Sequence, residues 1–499
     1  MFLNTGSVRI NALKTNALAI TTSIALLSNI PTASATSVGQ FYSELVTGQQ
    51  VSLTLLNHLK STERYTRYPD KNVDGMYRQY EWGQSVGLFY TSGKASFSKD
   101  STLAMSFDVG YNHMFKLADS YPGGVHNWNA GEKIFMSKDC FWTGGEPYKG
   151  QYKCNDTSGY GKLPVANVRL DWGKGQQRGF MRVGDGFYNT GMITSADLDS
   201  ALLSSYRGVM AQHSQNGYIF DGGFVTGFMG GNESKMGNLT GNSNYYDPYP
   251  LTYDYLYTMR VRKNYQNSGY RAAYGEAKDF LRRSHVDVWY RHPLSSVTSV
   301  YVKGQYYYNR AAGDLWQQDV DKGQAAFDTY ASAASYEFRL QYDALELMYG
   351  FTHIDAPRKN GNGSFSYGFG NAKGYLNLPT NGNYHGFRRD GMDARVVQLR
   401  YDFRNFGHPD LYVEYGYHWG EAPIIEKATG ATKYGSEYEH AITLRYRPRT
   451  GALKGFVFNL QQAFHRPDDT LANIVENDPF PNRGDRTNTK LAISYMFNL

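Results

Sequence analysis

The last nine residues, Leu491 to Leu499, alternate strictly. Leu491, Ile493, Tyr495, Phe497 and Leu499 share one face, and Ala492, Ser494, Met496 and Asn498 share the other. Period two is the mark of a strand, and nine residues suffice for a tilted strand to cross a bilayer. A soluble sheet with one buried face alternates in the same way, so the constraint comes from repetition. Tyr438, His440, Ile442, Leu444 and Tyr446 alternate with Glu439, Ala441, Thr443, Arg445 and Arg447. Leu411, Val413, Tyr415, Tyr417 and Trp419 alternate with Tyr412, Glu414, Gly416 and His418; Val397, Leu399, Tyr401 and Phe403 do so with Gln398, Arg400 and Asp402. One face is apolar and aromatic, the other mostly polar. Lipid outside and water inside demand that pattern, and closure leaves no unpaired backbone edge. The fold class expected is all-β, a transmembrane antiparallel β-barrel.

Composition agrees. After the N-terminus no apolar run approaches the ~18 residues of a membrane helix, while 43 tyrosines suit aromatic girdles at the two interfaces. Residues 1–35 read as a cleaved signal peptide. Arg9 and Lys14 precede an apolar core, Ala17 to Leu27, and Ala33-Ser34-Ala35 offers small residues for cleavage. Losing those two bases lowers the formal charge from +6 to +4, with acids and bases interspersed, so no nucleic-acid partner is expected. Residues 36–499 are expected to form a single barrel domain.

Cys140 and Cys154 are the only cysteines. In an exported protein a disulfide closing this short loop is favoured. A metal site is the rival, but no histidine lies between the two cysteines, and neither a metal nor a cofactor is expected.

Short turns alternate with long loops along the chain, as in bacterial barrels. Fourteen strands are explicit, and sixteen to eighteen fit the spacing. From Asp185 to Ser205 the strand pattern lapses, and such a loop is often functional. In a porin it can fold into the lumen; on pattern alone it can equally lie outside. Pro357 to Asp390, rich in Gly, Asn and Tyr, reads as a long mobile loop.

Several stretches resemble the OprD-family porins, substrate-specific outer-membrane channels. "VQLRYDFRNFGHPDLYVEYGYHWG" is similar to that family's strand, turn and returning strand, and "EYEHAITLRYRPRTGALKGFVFNL" to the next pair. "YEWGQSVGLFYTSGK" and "FMRVGDG…SALLSSYRGV" resemble the second strand and the constriction loop with its flanks. The resemblance implies an eighteen-stranded monomeric barrel, an inward-folded third loop and a ladder of basic residues down one wall. Two features depart from it: Gly186 to Ile193 replaces a Pro-rich approach to the constriction loop, and the chain ends in Leu499 instead of Phe.

On the polar faces arginine recurs: Arg169, Arg182, Arg207, Arg260, Arg262, Arg291, Arg339, Arg400, Arg445 and Arg447, with Lys303 a further candidate. A guanidinium stays charged and offers carboxylates a planar fork. Spaced along a pore, such groups pass an anion between weak sites, and conduction requires that weakness. The plainer alternative pairs them with Glu337, Asp402, Glu414 and Glu439. Asp197, Asp199, Ser204, Ser205 and Tyr206 are assigned to the constriction loop, where Asp197 and Asp199 would make a two-signed eyelet. The expected partners are outer-membrane lipid and small anionic or zwitterionic solutes such as amino acids, peptides or aromatic acids. Trp289, Tyr307 and Tyr412 on inward faces keep an oligosaccharide channel open as a second substrate class. No G-x-S-x-G, H-E-x-x-H or Cys–His grouping points to an enzyme.

Overall fold

The structure, a computed structural model, describes residues 38–66, 75–98, 101–119, 140–142, 152–154, 159–196, 200–241, 251–359, 361–425, 430–472 and 484–499. The expected signal peptide, Asp197 and Asp199 lie outside the described residues. Eighteen long strands form one closed antiparallel barrel. The first six are β1 (Gln50–Thr66), β2 (Gly75–Thr91), β3 (Ala104–Asp119), β4 (Gly159–Lys174), β5 (Gln177–Gly186) and β6 (Ser205–Gln215). Then come β7 (Tyr218–Met229), β8 (Leu256–Asn264), β9 (Ser268–Ala277), β10 (Leu281–Pro293), β11 (Thr298–Ala311) and β12 (Tyr330–Tyr342). The last six are β13 (Leu345–Asp355), β14 (Asp393–Asp402), β15 (Leu411–Ile425), β16 (Thr432–Tyr446), β17 (Phe456–Pro467) and β18 (Arg486–Asn498).

Each strand pairs with its sequence neighbours, and β18 closes the ring on β1, with Leu53 opposite Phe497 and Leu59 opposite Leu491. Closure satisfies every sheet edge, which lipid requires. The faces divide as the alternation predicts. Leu88, Val183, Met259, Val288, Phe338 and Leu399 are exposed on the outside, where they meet acyl chains. Opposite residues share a face, so Asp221, Arg260, Asp287 and Glu337 point inward.

The apolar core lies inside the barrel, toward the end with the long loops. Residues 187–196, 200–204, 312–329, 356–359 and 361–392 fold inward, and Tyr188, Trp316, Phe327, Phe365, Phe369 and Phe387 are buried among them. The stretch expected to be mobile, Pro357 to Asp390, is docked along the inner wall instead, apart from residue 360, which is not described. The reason is hydrogen bonding, because buried backbone groups need partners. Gln305 Nε2 donates to the carbonyl of Asn377 (2.6 Å), Asn309 Nδ2 to that of Ser366 (2.6 Å), and the Asn377 amide to Tyr307 Oη (3.2 Å). Wall glycines make room. A Cβ at Gly275 would sit 2.8 Å from Phe369, and one at Gly350 2.7 Å from Pro379.

Candidate functional site

Residues 187–196 leave β5 and lie against the inner wall, and residues 200–204 lead into Ser205, which, with Tyr206, belongs to the start of β6 and not to the loop. Asp221, on the inner face of β7, anchors it: Oδ1 accepts from Thr190 Oγ1 and from the Gly191 amide, both at 2.8 Å. The other oxygen accepts from Arg260 Nε at 2.9 Å, and the carboxylate is fully buried. The Met192 amide donates to Thr258 Oγ1. Burial raises the pKa of Tyr188, so its hydroxyl remains a donor, held by the carbonyls of Gly184 (2.7 Å) and Gly208 (3.1 Å). Tyr206 Oη donates to the carbonyls of Thr194 and Lys373, and Ile193 pairs with Gly374. The two inward loops are therefore joined, one over the β6–β9 wall, the other along β9 to β18. Ser204 is fully buried where the first loop ends.

Charges of both signs line the wall below. Arg169 holds Asp171 with two bonds, 2.7 and 2.9 Å, and stacks on Phe180 at 4.1 Å. Arg182, opposite Arg169, lies over the same ring with Asp108 at 3.7 Å. Arg262 faces Arg271 across β8 and β9, and Arg271 pairs with Asp287 at 2.9 Å. Lys303 stands opposite Glu337, and Arg339 pairs with both Glu337 (2.5 Å) and Glu346 (2.8 Å). Arg291 and Arg339 both approach the Tyr301 ring, each at 5.9 Å. Arg400 lies 4.0 Å above Tyr412 and opposite Glu414. Next to them a recess of about 360 Å³ is lined by Asn383, Tyr412, Glu414, Thr443, Arg445 and Asn459, among others.

The profile of "outer membrane porin, OprD family" matches residues 160–498. The chain belongs to the OprD family. It is a substrate-specific channel of the outer membrane, and its family consists of channels, not enzymes. No curated protein sequence matches it. Solved structures share the fold at low identity. Pseudomonas aeruginosa OccK9 (OpdG) is 15% identical with a TM-score of 0.67, over 91% of this chain and all of that one. Acinetobacter baumannii OccAB2 is 16% identical, TM-score 0.67, over 91% and 99%. P. aeruginosa OpdK, in a structure with vanillate, is 15% identical, TM-score 0.65, over 91% and 100%.

Eight of the ten arginines expected in the porin's lumen lie on inward faces, and two do not. Arg207 shares a row with Val183, Val209 and Phe224, the outward face, and there binds Asp185 at 2.8 and 2.9 Å. Arg447 lies past the end of β16 in a turn before Pro448, its amide bonded to the carbonyl of Asp410. Of the acids proposed as their partners, Glu337 meets Arg339, whereas Asp402 meets Arg404 and Glu439 accepts loop amides from Tyr384 and His385. Tyr307, a candidate sugar surface, is fully buried beneath the second loop, while Trp289 and Tyr412 are not.

Arg271, Arg283 and Asp221 escaped the sequence reading. Arg283 is fully buried and spends its guanidinium on Asn309 and the carbonyl of Tyr367. Extending the alternation of β10 backward from Asp287 through His285 would have placed it on the inner face.

Proposed function

We propose that this porin passes small carboxylate-bearing solutes, guided by a two-signed ladder of Arg182, Arg262, Arg271, Lys303, Arg339, Arg400 and Arg445. The observation that supports it most is the recess beside Arg445. A guanidinium there faces Asn383, Asn459 and Tyr412, with Arg400 against the same tyrosine. A planar acid fits between an aromatic face and a charged fork. Vanillate, present in one OpdK structure, is a molecule of that kind. Interleaved Asp287, Glu337 and Glu414 keep each cationic step weak and give an amino acid's ammonium group a partner.

An oligosaccharide channel is the second reading, favoured by Trp289 stacked with Tyr301 at 6.1 Å, both on inward faces. We read the chain as a monomer, and Cys140 and Cys154, register partners on a small hairpin, as bonded. The test is single-channel recording with benzoate, arginine and chitohexaose as blockers. Concentration-dependent block by benzoate, weakened in Arg445→Ala, supports the carboxylate reading. Block by the sugar alone, unchanged in that variant, replaces it with the second.

A further inference from the structure

We infer that His385, Glu437 and His465 form a binding site for a divalent transition-metal ion of the zinc–copper class. His385 lies on the second inward loop, Glu437 on β16 and His465 on β17. One ligand atom from each lies within 4.8 Å of the other two. His385 Nε2 is 2.8 Å from Glu437 Oε1, and His465 Nε2 is 3.1 Å from Oε2 of the same carboxylate. The imidazoles stack with centroids 4.4 Å apart. Around tetrahedral zinc, bonds of about 2.1 Å put neighbouring ligand atoms about 3.4 Å apart, so side-chain shifts of about 1 Å would close the three round one ion.

The donor chemistry selects the ion. Two imidazoles and a carboxylate suit zinc, copper or nickel and not calcium or magnesium, which take oxygen ligands. Three protein ligands leave a fourth position for water or a solute donor. The surroundings hold the set in place. Glu439 accepts the His385 amide at 2.8 Å, which fixes the loop where that imidazole faces Glu437. Glu437 is fully buried and His465 is 1% exposed, with its Nδ1 unpartnered among the described residues.

One feature opposes binding. Arg389 Nε lies 3.7 Å from Glu437 Oε1, and Arg486 stands opposite His465 in the register, so a dication must enter beside two guanidinium groups. Arg389→Gln is therefore expected to tighten binding. An ion held here would tie the second inward loop to two wall strands and still the constriction.

The test uses untagged mature protein folded in detergent, with heat-modifiable gel mobility as the check on folding. Zinc chloride is titrated by calorimetry into the parent, His385→Ala, Glu437→Gln and Arg389→Gln. The expected result is one zinc per chain in the parent, affinity lowered more than about tenfold in the first two variants and raised in the third. Zinc should also reduce single-channel current noise in the parent and leave His385→Ala unchanged. Electron paramagnetic resonance of the parent with one equivalent of copper(II) should show coupling to two imidazole nitrogens, a readout that survives if a variant misfolds. No zinc binding, equal binding in His385→Ala and Glu437→Gln, or a copper spectrum without two-nitrogen coupling overturns the site and leaves a hydrogen-bonded latch.

Discussion

At the scale of single residues, Asp221 has the most to lose. Its carboxylate is fully buried and holds two groups of the constriction loop as well as Arg260. Breaking one partner of a buried ion pair costs about 3–5 kcal/mol, because the other charge is left unpaired. Asp221→Ala should lower the urea midpoint of the refolded barrel and make the open-channel current noisier. An unchanged midpoint with quiet current would mean the loop is held elsewhere. Arg445→Ala should leave stability unchanged and weaken benzoate block by roughly tenfold, one charge-assisted hydrogen bond. Equal block in parent and variant would remove Arg445 from the pathway. The inner faces of β8, β10, β12, β14 and β16 were legible because an apolar or aromatic residue of the opposite parity precedes each arginine. Arg207 misled because Val209 and Met210 are both apolar, so period two gave two faces without saying which meets lipid. Arg447 misled because the alternation ran one step past Tyr446, although the proline that follows is a stop signal.

Among the elements, the strands were readable and the long inward loop was not. Its Gly, Asn and Tyr content is that of a surface loop, and its partners lie far away in sequence on β10, β11 and β16. The trace of its docking is in the wall, at glycines whose missing side chains admit it. Gly350→Val places a Cβ 2.7 Å from Pro379 where only displacement relieves the clash. That variant should destabilise the protein by about 1–3 kcal/mol and raise conductance as the loop lifts. Wild-type conductance at wild-type stability would show that the loop yields without leaving the lumen. The hairpin of Cys140 and Cys154 makes a separate claim, since opposite positions in the register bring the two residues together. Alkylation without reductant should add nothing to the mass, and reduction should free two thiols. Alkylation of both cysteines in the unreduced protein would contradict the bond.

The whole molecule is a closed wall with a polar lining, narrowed from one end by its own loops. Closure and the outward apolar belt follow from repetition in the sequence, whereas the depth of the constriction depends on long-range hydrogen bonds that no local pattern records. Anionic solutes are proposed to travel along the arginines of this lumen. Reversal potential across a salt gradient in a planar bilayer decides this, for the parent and for a variant with Arg262, Arg271, Arg400 and Arg445 all changed to Gln. Anion preference and benzoate block are expected in the parent, with both abolished in the variant while gel mobility stays that of a folded barrel. Cation preference in the parent, or block that survives all four substitutions, would contradict it.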